Sequence, residues 1–196
     1  MKRLWRDSLY TGDCLRMRFK PSPAEMTRME ENPPSTGNPV LDFFLHYWNE
    51  KRGPRAMPPR ATIDAREIKP HLGWICLLDA LPGFTDFRYR LVGSRVTDFF
   101  LDDGTGKTVA EAFEGPDRAL GDAALWIYRK CCLDKRPVRI TTPAADWRGR
   151  YVPANDALYM PLASDGETPD KVLAVFTFDY EEYRQTLSVH SLQRSA

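Results

Sequence analysis

Histidine and cysteine are the residue types that most often bind transition metals, and in this sequence they are few and scattered. They are His46, His71 and His190, and Cys14, Cys76, Cys131 and Cys132. No two cysteines have C-x-x-C spacing, and His71 and Cys76, the closest histidine–cysteine pair, have no further ligand beside them. The adjacent Cys131 and Cys132 are poorly placed for an ordinary disulfide framework. The sequence therefore predicts no metal site and reduced thiols.

A glycine-rich segment, Gly104-Thr105-Gly106-Lys107-Thr108, ends like a phosphate-binding loop. That motif requires a glycine where this sequence has Leu101, and it requires a preceding strand where this sequence predicts a helical turn. We interpret the segment as a turn between two short helices.

The sequence also offers few candidate catalytic side chains. The sequence has no G-x-S-x-G motif, and its scarce histidines leave few bases for a nucleophile. Asp98, Asp102 and Asp103 could supply a carboxylate pair for acid–base chemistry, but a solvated acidic loop is the simpler interpretation. We expect no catalytic residues and no enzymatic activity, and a small acid–base enzyme is the least favoured function.

The charges are balanced, with 28 Lys+Arg, 27 Asp+Glu and a net charge of +1. Basic residues with interleaved aromatics could bind an anionic ligand or nucleic acid; they are Arg129, Lys130, Lys135, Arg136, Arg139, Arg148 and Arg150, with Trp147 and Tyr151. Because a nucleic-acid binder usually carries a basic excess, a solvated face is favoured and no nucleic-acid partner is expected.

No apolar stretch approaches the roughly 20 residues that span a bilayer. The basic N-terminus leads into no apolar signal core. Together with the unpaired thiols, these features predict a cytoplasmic protein with no membrane partner.

A helix is predicted over residues 39–51, with Asn38 as its N-cap and Pro39 at its first position. Its apolar face has i, i+3, i+4, i+7 spacing and consists of Leu41, Phe44, Leu45 and Trp48. That face must cover a sheet or meet a partner subunit, so these four are the candidate interface residues.

Strands are predicted over residues 74–79, 87–93, 138–142, 151–162 and 172–180, with a long helix over 116–133 between the second and third. This segregation predicts an α+β fold with one antiparallel sheet. The last strand is apolar on both faces, so both faces of the sheet must be covered. Residues 1–38 are interpreted as a polar N-terminal extension, with a helix possible over 24–31, and residues 182–196 as a C-terminal tail.

Several short segments, in this order and spacing over residues 39–181, resemble a known family. They are Leu45-His46-Tyr47-Trp48, residues 58–64, residues 71–79, residues 87–96, residues 104–107 and Tyr159-Met160-Pro161-Leu162. The chain resembles the PAS domain, in particular the stand-alone single-domain PAS proteins of alphaproteobacteria. The resemblance implies a five-stranded antiparallel sheet with helices on one face, and the helix over 39–51 would cover the other.

The resemblance also implies a function, because such domains sense ligands, bind partner proteins or dimerise, and seldom catalyse. We expect a sensory or adaptor domain in cytosolic signalling that binds a small molecule, a signalling partner protein, or both, and forms a homodimer. The alternative is a ligand-free PAS scaffold that dimerises or docks through the helix over 39–51 or through a sheet face.

The pocket between sheet and helices has eight candidate lining residues: Tyr89, Leu91, Phe99, Phe113, Ile127, Cys131, Arg139 and Tyr159. Aromatic walls suit an apolar or planar ligand, and Arg139 could orient an acidic one; the same side chains could simply fill a core. Haem and flavin are disfavoured, because the long helix has no histidine and no Asn-Cys-Arg motif occurs. The identity of the ligand is left open.

Overall fold

The computed structural model describes residues 28–100, 102–147 and 150–185. Its strands, in chain order, are β1 (Arg28–Glu31), β2 (Ile75–Ala80), β3 (Phe87–Val92), β4 (Val138–Thr142), β5 (Ala145–Trp147), β6 (Arg150–Val152), β7 (Asn155–Leu162) and β8 (Lys171–Thr177). Six of them form an antiparallel sheet in the order β1–β4–β7–β8–β2–β3, and β5 and β6 form a separate hairpin. The α+β prediction is confirmed, with one strand more in the main sheet than expected, and the strand predicted over 151–162 is divided between β6 and β7.

Five α-helical segments accompany the sheet: α1 (Pro39–Arg52), α2 (Ser94–Phe100), α3 (Val109–Ala112), α4 (Arg118–Asp134) and α5 (residues 180–185). Helix α1 begins as predicted, because the Asn38 side chain accepts hydrogen bonds from the backbone N–H groups of Val40 and Leu41. Helix α3 begins with a reciprocal capping box between Thr108 and Glu111.

Helix α1 covers one face of the sheet and packs on β7 and β8. We call the apolar cluster between them the outer core; its buried members are Leu41, Phe44, Leu45, Tyr47, Trp48, Met57, Ile63, Ile68, Ile75, Leu158, Met160, Leu162, Ala163, Leu173 and Val175. The Trp48 indole N–H donates to the Pro161 carbonyl oxygen at 2.8 Å. The predicted covering role of this helix is therefore confirmed.

The outer core corrects the interface prediction for the same helix. Leu41 and Phe44 are fully buried, and Leu45 and Trp48 are 5% and 3% exposed. These four side chains pack on the chain's own sheet, because the apolar residues on the outer face of β7 and β8 must also be shielded from water. They have no surface left to offer a partner.

Helices α2, α3 and α4 lie on the opposite face. We call the cluster beneath them the inner core; its buried members are Cys76, Leu78, Phe87, Tyr89, Val96, Val109, Leu125, Tyr128, Cys131, Cys132, Val138, Ile140, Ala157, Tyr159, Val172, Ala174 and Phe176. Helix α4 approaches α3 closely at Gly121, where a β-carbon would lie only 2.8 Å from Cβ of Phe113. Glycine therefore lets α4 settle deeply enough to seal this core.

Strand β1 is the sixth strand, and it corrects the predicted helix over 24–31 within residues 28–31; residues 24–27 lie outside the described part. It pairs with β4 in the register Arg28↔Thr141 to Glu31↔Val138. Two ion pairs hold it, Glu30 to Arg139 at 2.9 Å and Glu31 to Lys130 at 2.6 Å. This polar segment forms a strand because β4 and the two ion pairs stabilise it. These partners lie far from it in the sequence.

The C-terminal boundary also differs from the sequence interpretation. Tyr183 in α5 is fully buried. Its hydroxyl donates to the carbonyl oxygens of Asp98 and Phe99, at 3.1 and 3.2 Å. The predicted boundary at residue 181 thus falls inside a helix that is docked on α2, and residues 186–196 lie outside the described part.

Within these described ranges, no helix combines the length and apolar character needed to cross a membrane. In the same ranges, no three histidine, cysteine or acidic side chains come together as a potential metal site. Cys14 and His190 lie outside the described residues.

Candidate functional site

Three tyrosines from three different elements converge in the inner core. Tyr89 comes from β3, Tyr128 from α4 and Tyr159 from β7, and they are 7%, 2% and 7% exposed. The hydroxyl oxygens of Tyr89 and Tyr128 are 3.4 Å apart, and the rings of Tyr128 and Tyr159 meet edge to face with centroids 5.6 Å apart. We call these three residues the tyrosine cluster.

Alternation along the strands places two members of the cluster on the inner face. On β7, Tyr159 lies between Leu158 and Met160, which belong to the outer core, so its own side chain points the other way. On β3, Tyr89 is paired with Leu78 of the inner core. Tyr128 reaches the same point from α4, where it lies one turn before the buried Cys132.

Burial keeps the three tyrosine hydroxyls and the thiols of Cys76 and Cys131 neutral. Desolvation raises the pKa values of the Tyr89, Tyr128 and Tyr159 hydroxyls above their ordinary value. Desolvation also raises the pKa of the Cys76 thiol to about 12 and raises that of Cys131. These groups can exchange hydrogen bonds with a bound molecule, but none is activated as a base or a nucleophile at neutral pH.

The Tyr159 hydroxyl has no hydrogen-bond partner among the residues that the structure describes. The contact between Tyr89 and Tyr128, at 3.4 Å, is longer than the usual O–H···O hydrogen bond. A buried hydroxyl without a partner costs about 1–3 kcal/mol, so native proteins nearly always supply one. The tyrosine cluster therefore retains unused hydrogen-bonding capacity in an otherwise apolar interior.

A narrow void lies beside this cluster, lined by Val96, Phe99, Asn155, Phe176 and Phe178. It is too constricted for a water molecule. Phe176 separates the void from the tyrosine cluster, and its ring centroid is 5.8 Å from that of Tyr159. A molecule bound at the Tyr159 hydroxyl would need the Phe176 side chain to move.

Six of the eight predicted pocket residues are in this region. Tyr89, Tyr159 and Cys131 belong to the inner core, and Phe113 and Ile127 pack against it. Phe99 lines the void. The structure thus brings together most of the predicted lining.

Leu91 does not join them. A β-bulge between Leu77 and Leu78 shifts the pairing, so Leu91 lies opposite Leu77, which packs on the outer core. Directly paired residues share a face of the sheet, so Leu91 points away from the inner core, and 38% of it is exposed.

Arg139 is also directed elsewhere. It alternates on β4 with Val138 and Ile140 of the inner core, so it points to the other face. There its guanidinium donates to both carboxylate oxygens of Asp156, at 2.9 and 2.7 Å, and to Glu30 at 2.9 Å. It cannot orient a ligand in the inner core.

Tyr128 and Cys76 are two inner-core residues that the sequence analysis did not name as pocket-lining residues. Ile127 was a predicted pocket residue on the long helix, whereas the buried positions of this helix include Gly121, Leu125, Tyr128 and Cys132. These have i, i+4, i+7, i+11 spacing, which is itself a helical face and could have identified Tyr128. Cys76 lies inside a continuous apolar strand, where the sequence offers no sign of which face a residue takes.

Several members of the basic cluster predicted from sequence are bound to other groups in the described part. Lys130 is 5% exposed and bound to Glu31 and Asp134. Arg129 donates to the carbonyl oxygens of Phe84 and Thr85. Arg148 and the Arg150 side chain lie outside the described part.

A comparison with protein-family profiles agrees with this architecture. The sequence profile of the PAS domain family matches residues 38–177. A solved structure, "Structure of an RNA-binding Light-Oxygen-Voltage Receptor", has a TM-score of 0.45 and 9% sequence identity to the chain. The match covers 89% of this chain and 45% of the receptor, so it spans less than half of the receptor's length. No curated protein matches the chain.

The profile match extends from the N-cap of α1 to the end of β8 and so includes every element that contributes to the tyrosine cluster. PAS domains are typically sensory and signalling domains rather than catalysts. On this match, over well more than half of its length, the chain belongs to the PAS domain family.

Proposed function

We propose that this PAS domain is a cytoplasmic sensor that binds a small, uncharged, hydrogen-bonding molecule at the tyrosine cluster. The observation that carries the proposal is the Tyr159 hydroxyl, which is buried and has no partner among the described residues. A ligand that accepts or donates a hydrogen bond there would remove the cost of leaving that hydroxyl unsatisfied.

The charge of the ligand follows from its surroundings. The three tyrosines and the thiols of Cys76 and Cys131 are neutral, and Arg139, the one cation predicted to reach inside, is bound to Asp156 on the other face. An ion would lose its hydration without gaining a counter-charge, so a neutral molecule is favoured. Because the narrow void has no space for a water molecule, binding requires the Phe176 side chain to move.

A route from ligand to output runs through packed aromatic rings. Phe176 contacts Phe100 on α2, with centroids 6.2 Å apart, and the adjacent Phe99 lies 5.9 Å from Tyr183 of α5. Displacement of Phe176 would therefore disturb the surface on which α5 docks. A signalling partner that recognises α5 in its docked or released position would read the change.

The first experiment is mass spectrometry of small molecules released when freshly purified protein is denatured, preceded by an absorbance spectrum of the native protein. We expect a stoichiometric compound in the wild type and its loss in Tyr159→Phe. Tyr47→Phe is the matched control, because the Tyr47 hydroxyl lies outside the inner core and is already bonded to Glu67 at 2.6 Å. Equal retention of the compound by both variants would contradict the proposed site.

The second candidate function is a ligand-free PAS scaffold, and the closed interior favours it. The void admits no water molecule, and aromatic rings fill the space around it. Under this function no compound is released from any variant, and Tyr159→Phe is at least as stable as the wild type. The same mass-spectrometry experiment therefore separates the two functions.

A further inference from the structure

The outward edge of β1 carries backbone groups with no partner among the described residues. Strand β1 ends the sheet, with β4 on one side only. The N–H of Asn32 donates to the carbonyl oxygen of Pro137 at 2.7 Å, so the backbone at position 32 faces β4. Because these directions alternate along an antiparallel strand, the N–H and C=O groups of Met29 and Glu31 face outward.

The opposite edge of the sheet differs. Strand β3 is partly covered, because Tyr89 donates its N–H to the carbonyl oxygen of Lys107 at 3.0 Å and accepts at its own carbonyl from Gly106 at 2.8 Å. Of the two edges, β1 is thus the one whose backbone groups remain open to another strand in the described structure.

We infer that two copies of this chain associate through their β1 strands, which pair antiparallel about a two-fold axis at Met29. In this register Met29 of each copy exchanges both backbone hydrogen bonds with Met29 of the other. Arg28 then lies directly opposite Glu30 of the second copy, and Glu30 opposite Arg28. The interface is self-complementary, as a two-fold dimer requires.

Charge selects this register from its neighbours. A two-fold axis at position 28 would place arginine opposite arginine, and axes at positions 30 or 31 would place glutamate opposite glutamate. Like charges directly opposite one another on paired strands are destabilising. Charged edges normally discourage pairing, but the Arg-Met-Glu sequence makes one antiparallel register favourable.

The existing contacts also hold the edge ready for pairing. Asp156 fixes the Arg139 guanidinium at 2.7 Å, and Arg139 fixes the Glu30 carboxylate at 2.9 Å. The position of Glu30 is therefore set before a second copy arrives, which lowers the ordering cost of association. Arg28, Glu30 and Glu31 are exposed, and Met29 is half-buried. Because β1 is only four residues long, we expect a weak, concentration-dependent dimer.

The test is sedimentation velocity of the full chain over a wide concentration range. Wild-type protein should shift from monomer to dimer, and Arg28→Glu should raise the dissociation constant about tenfold or more, because it converts both attractive pairs into repulsive ones. Arg66→Glu is the matched control, since it makes the same charge change at a side chain that is 90% exposed and far from β1 in sequence. A wild type that stays monomeric, or a dimer that Arg28→Glu leaves unchanged, would overturn the inference.

Mixing two variants tests the register itself. Arg28→Glu and Glu30→Lys each place like charges opposite one another in their own dimers, yet in a mixed dimer every pair is opposite in sign. We expect the mixture to associate more tightly than either variant alone, by about tenfold. Failure of the mixture to recover association, with both variants folded by circular dichroism, would overturn the Met29-centred register.

A backbone variant removes the association without changing charge. Met29→Pro deletes an N–H that faces away from β4, so the pairing with β4 loses no donor. It should abolish dimerisation while leaving the circular dichroism spectrum unchanged. Dimerisation retained in folded Met29→Pro protein would count against the edge-to-edge pairing.

Discussion

The two faces of one sheet are filled in different ways. The outer core is almost wholly aliphatic and aromatic hydrocarbon, and the Trp48 indole N–H within it is hydrogen-bonded to Pro161 at 2.8 Å. The inner core contains three tyrosines and three cysteines, and one tyrosine hydroxyl is left without a partner in the described structure. Both are buried, so burial alone does not distinguish a stabilising cluster from a candidate binding region.

Strand β7 shows this difference between the two cores within three consecutive residues. Leu158 and Met160 point to the outer core and are fully buried, whereas Tyr159 between them points to the inner core. Hydrocarbon packed to native density gives stability, while a buried hydroxyl with no partner costs stability. The outer core is thus built for stability, and the inner core carries polar groups that stability alone does not require.

The largest expected effect lies in the outer core. Phe44→Ala should lower the free energy of unfolding by about 3–5 kcal/mol, because it opens a cavity beneath α1. Urea denaturation would measure this. The neighbouring Phe43→Ala is the control, since Phe43 is 36% exposed and should cost far less. Equal losses in the two variants would contradict the described packing of α1.

Alkaline pH should destabilise the fold in part through Cys76 of the inner core. Burial raises the pKa of Cys76 from 9.0 to about 12, so above pH 9 the unfolded chain loses a proton that the folded chain retains. Stability contributed by this group is complete below pH 9 and declines as pH rises, by about 1.4 kcal/mol per pH unit between these two pKa values. Denaturation of wild type and Cys76→Ala at a series of pH values would show a shallower alkaline decline in the variant. Identical slopes would indicate that Cys76 is not buried as described.

A smaller difference in the free energy of unfolding should separate the Tyr159→Phe and Tyr47→Phe variants. In protein freed of any bound compound, Tyr159→Phe removes a buried hydroxyl without a described partner and should leave the free energy of unfolding unchanged or raise it by up to about 1 kcal/mol. Tyr47→Phe removes a hydroxyl that donates to Glu67 and accepts from the Asp64 N–H, and should lower it by about 1–2 kcal/mol. Thermal and urea unfolding of the two variants would check the sign. Destabilisation by Tyr159→Phe would mean that its hydroxyl has a partner.

The smallest expected effect tests the β-bulge. Leu91→Ser should change the free energy of unfolding by less than about 0.5 kcal/mol, because Leu91 is 38% exposed and lies outside both buried clusters. It should also leave any compound bound at the tyrosine cluster in place. Loss of that compound, or a cost near that of a core residue, would place Leu91 on the inner face instead.

Much of the fold could be predicted from local patterns. Helix α1 was predicted over 39–51 and runs over Pro39–Arg52, and β4 was predicted over 138–142 and runs over Val138–Thr142. Both elements are defined by side chains a few residues apart: the Asn38-Pro39 start and apolar spacing of α1, and the short β-branched run of β4. Such signals need no knowledge of the rest of the chain.

The candidate site was predicted only in part. Alternation along β3 would place Tyr89 and Leu91 on one face, but it failed at Leu91, because the bulge at Leu77/Leu78 changes the register between β2 and β3. A charged residue in a strand gives no sign of its partner, so Arg139 was assigned to the pocket although Asp156 and Glu30 hold it on the other face.

The sequence by itself determined the α+β class, the PAS resemblance and the positions of most elements, because periodicity, caps and turn residues act locally. Only the tertiary structure decided that Arg28–Glu31 is a strand, that α1 is buried in its own chain, and that Tyr128 meets Tyr159. These outcomes depend on contacts between residues far apart in the chain, whose energies appear only once the sheet has fixed its register. For the same reason, the open edge of β1 became apparent only once its backbone directions were known.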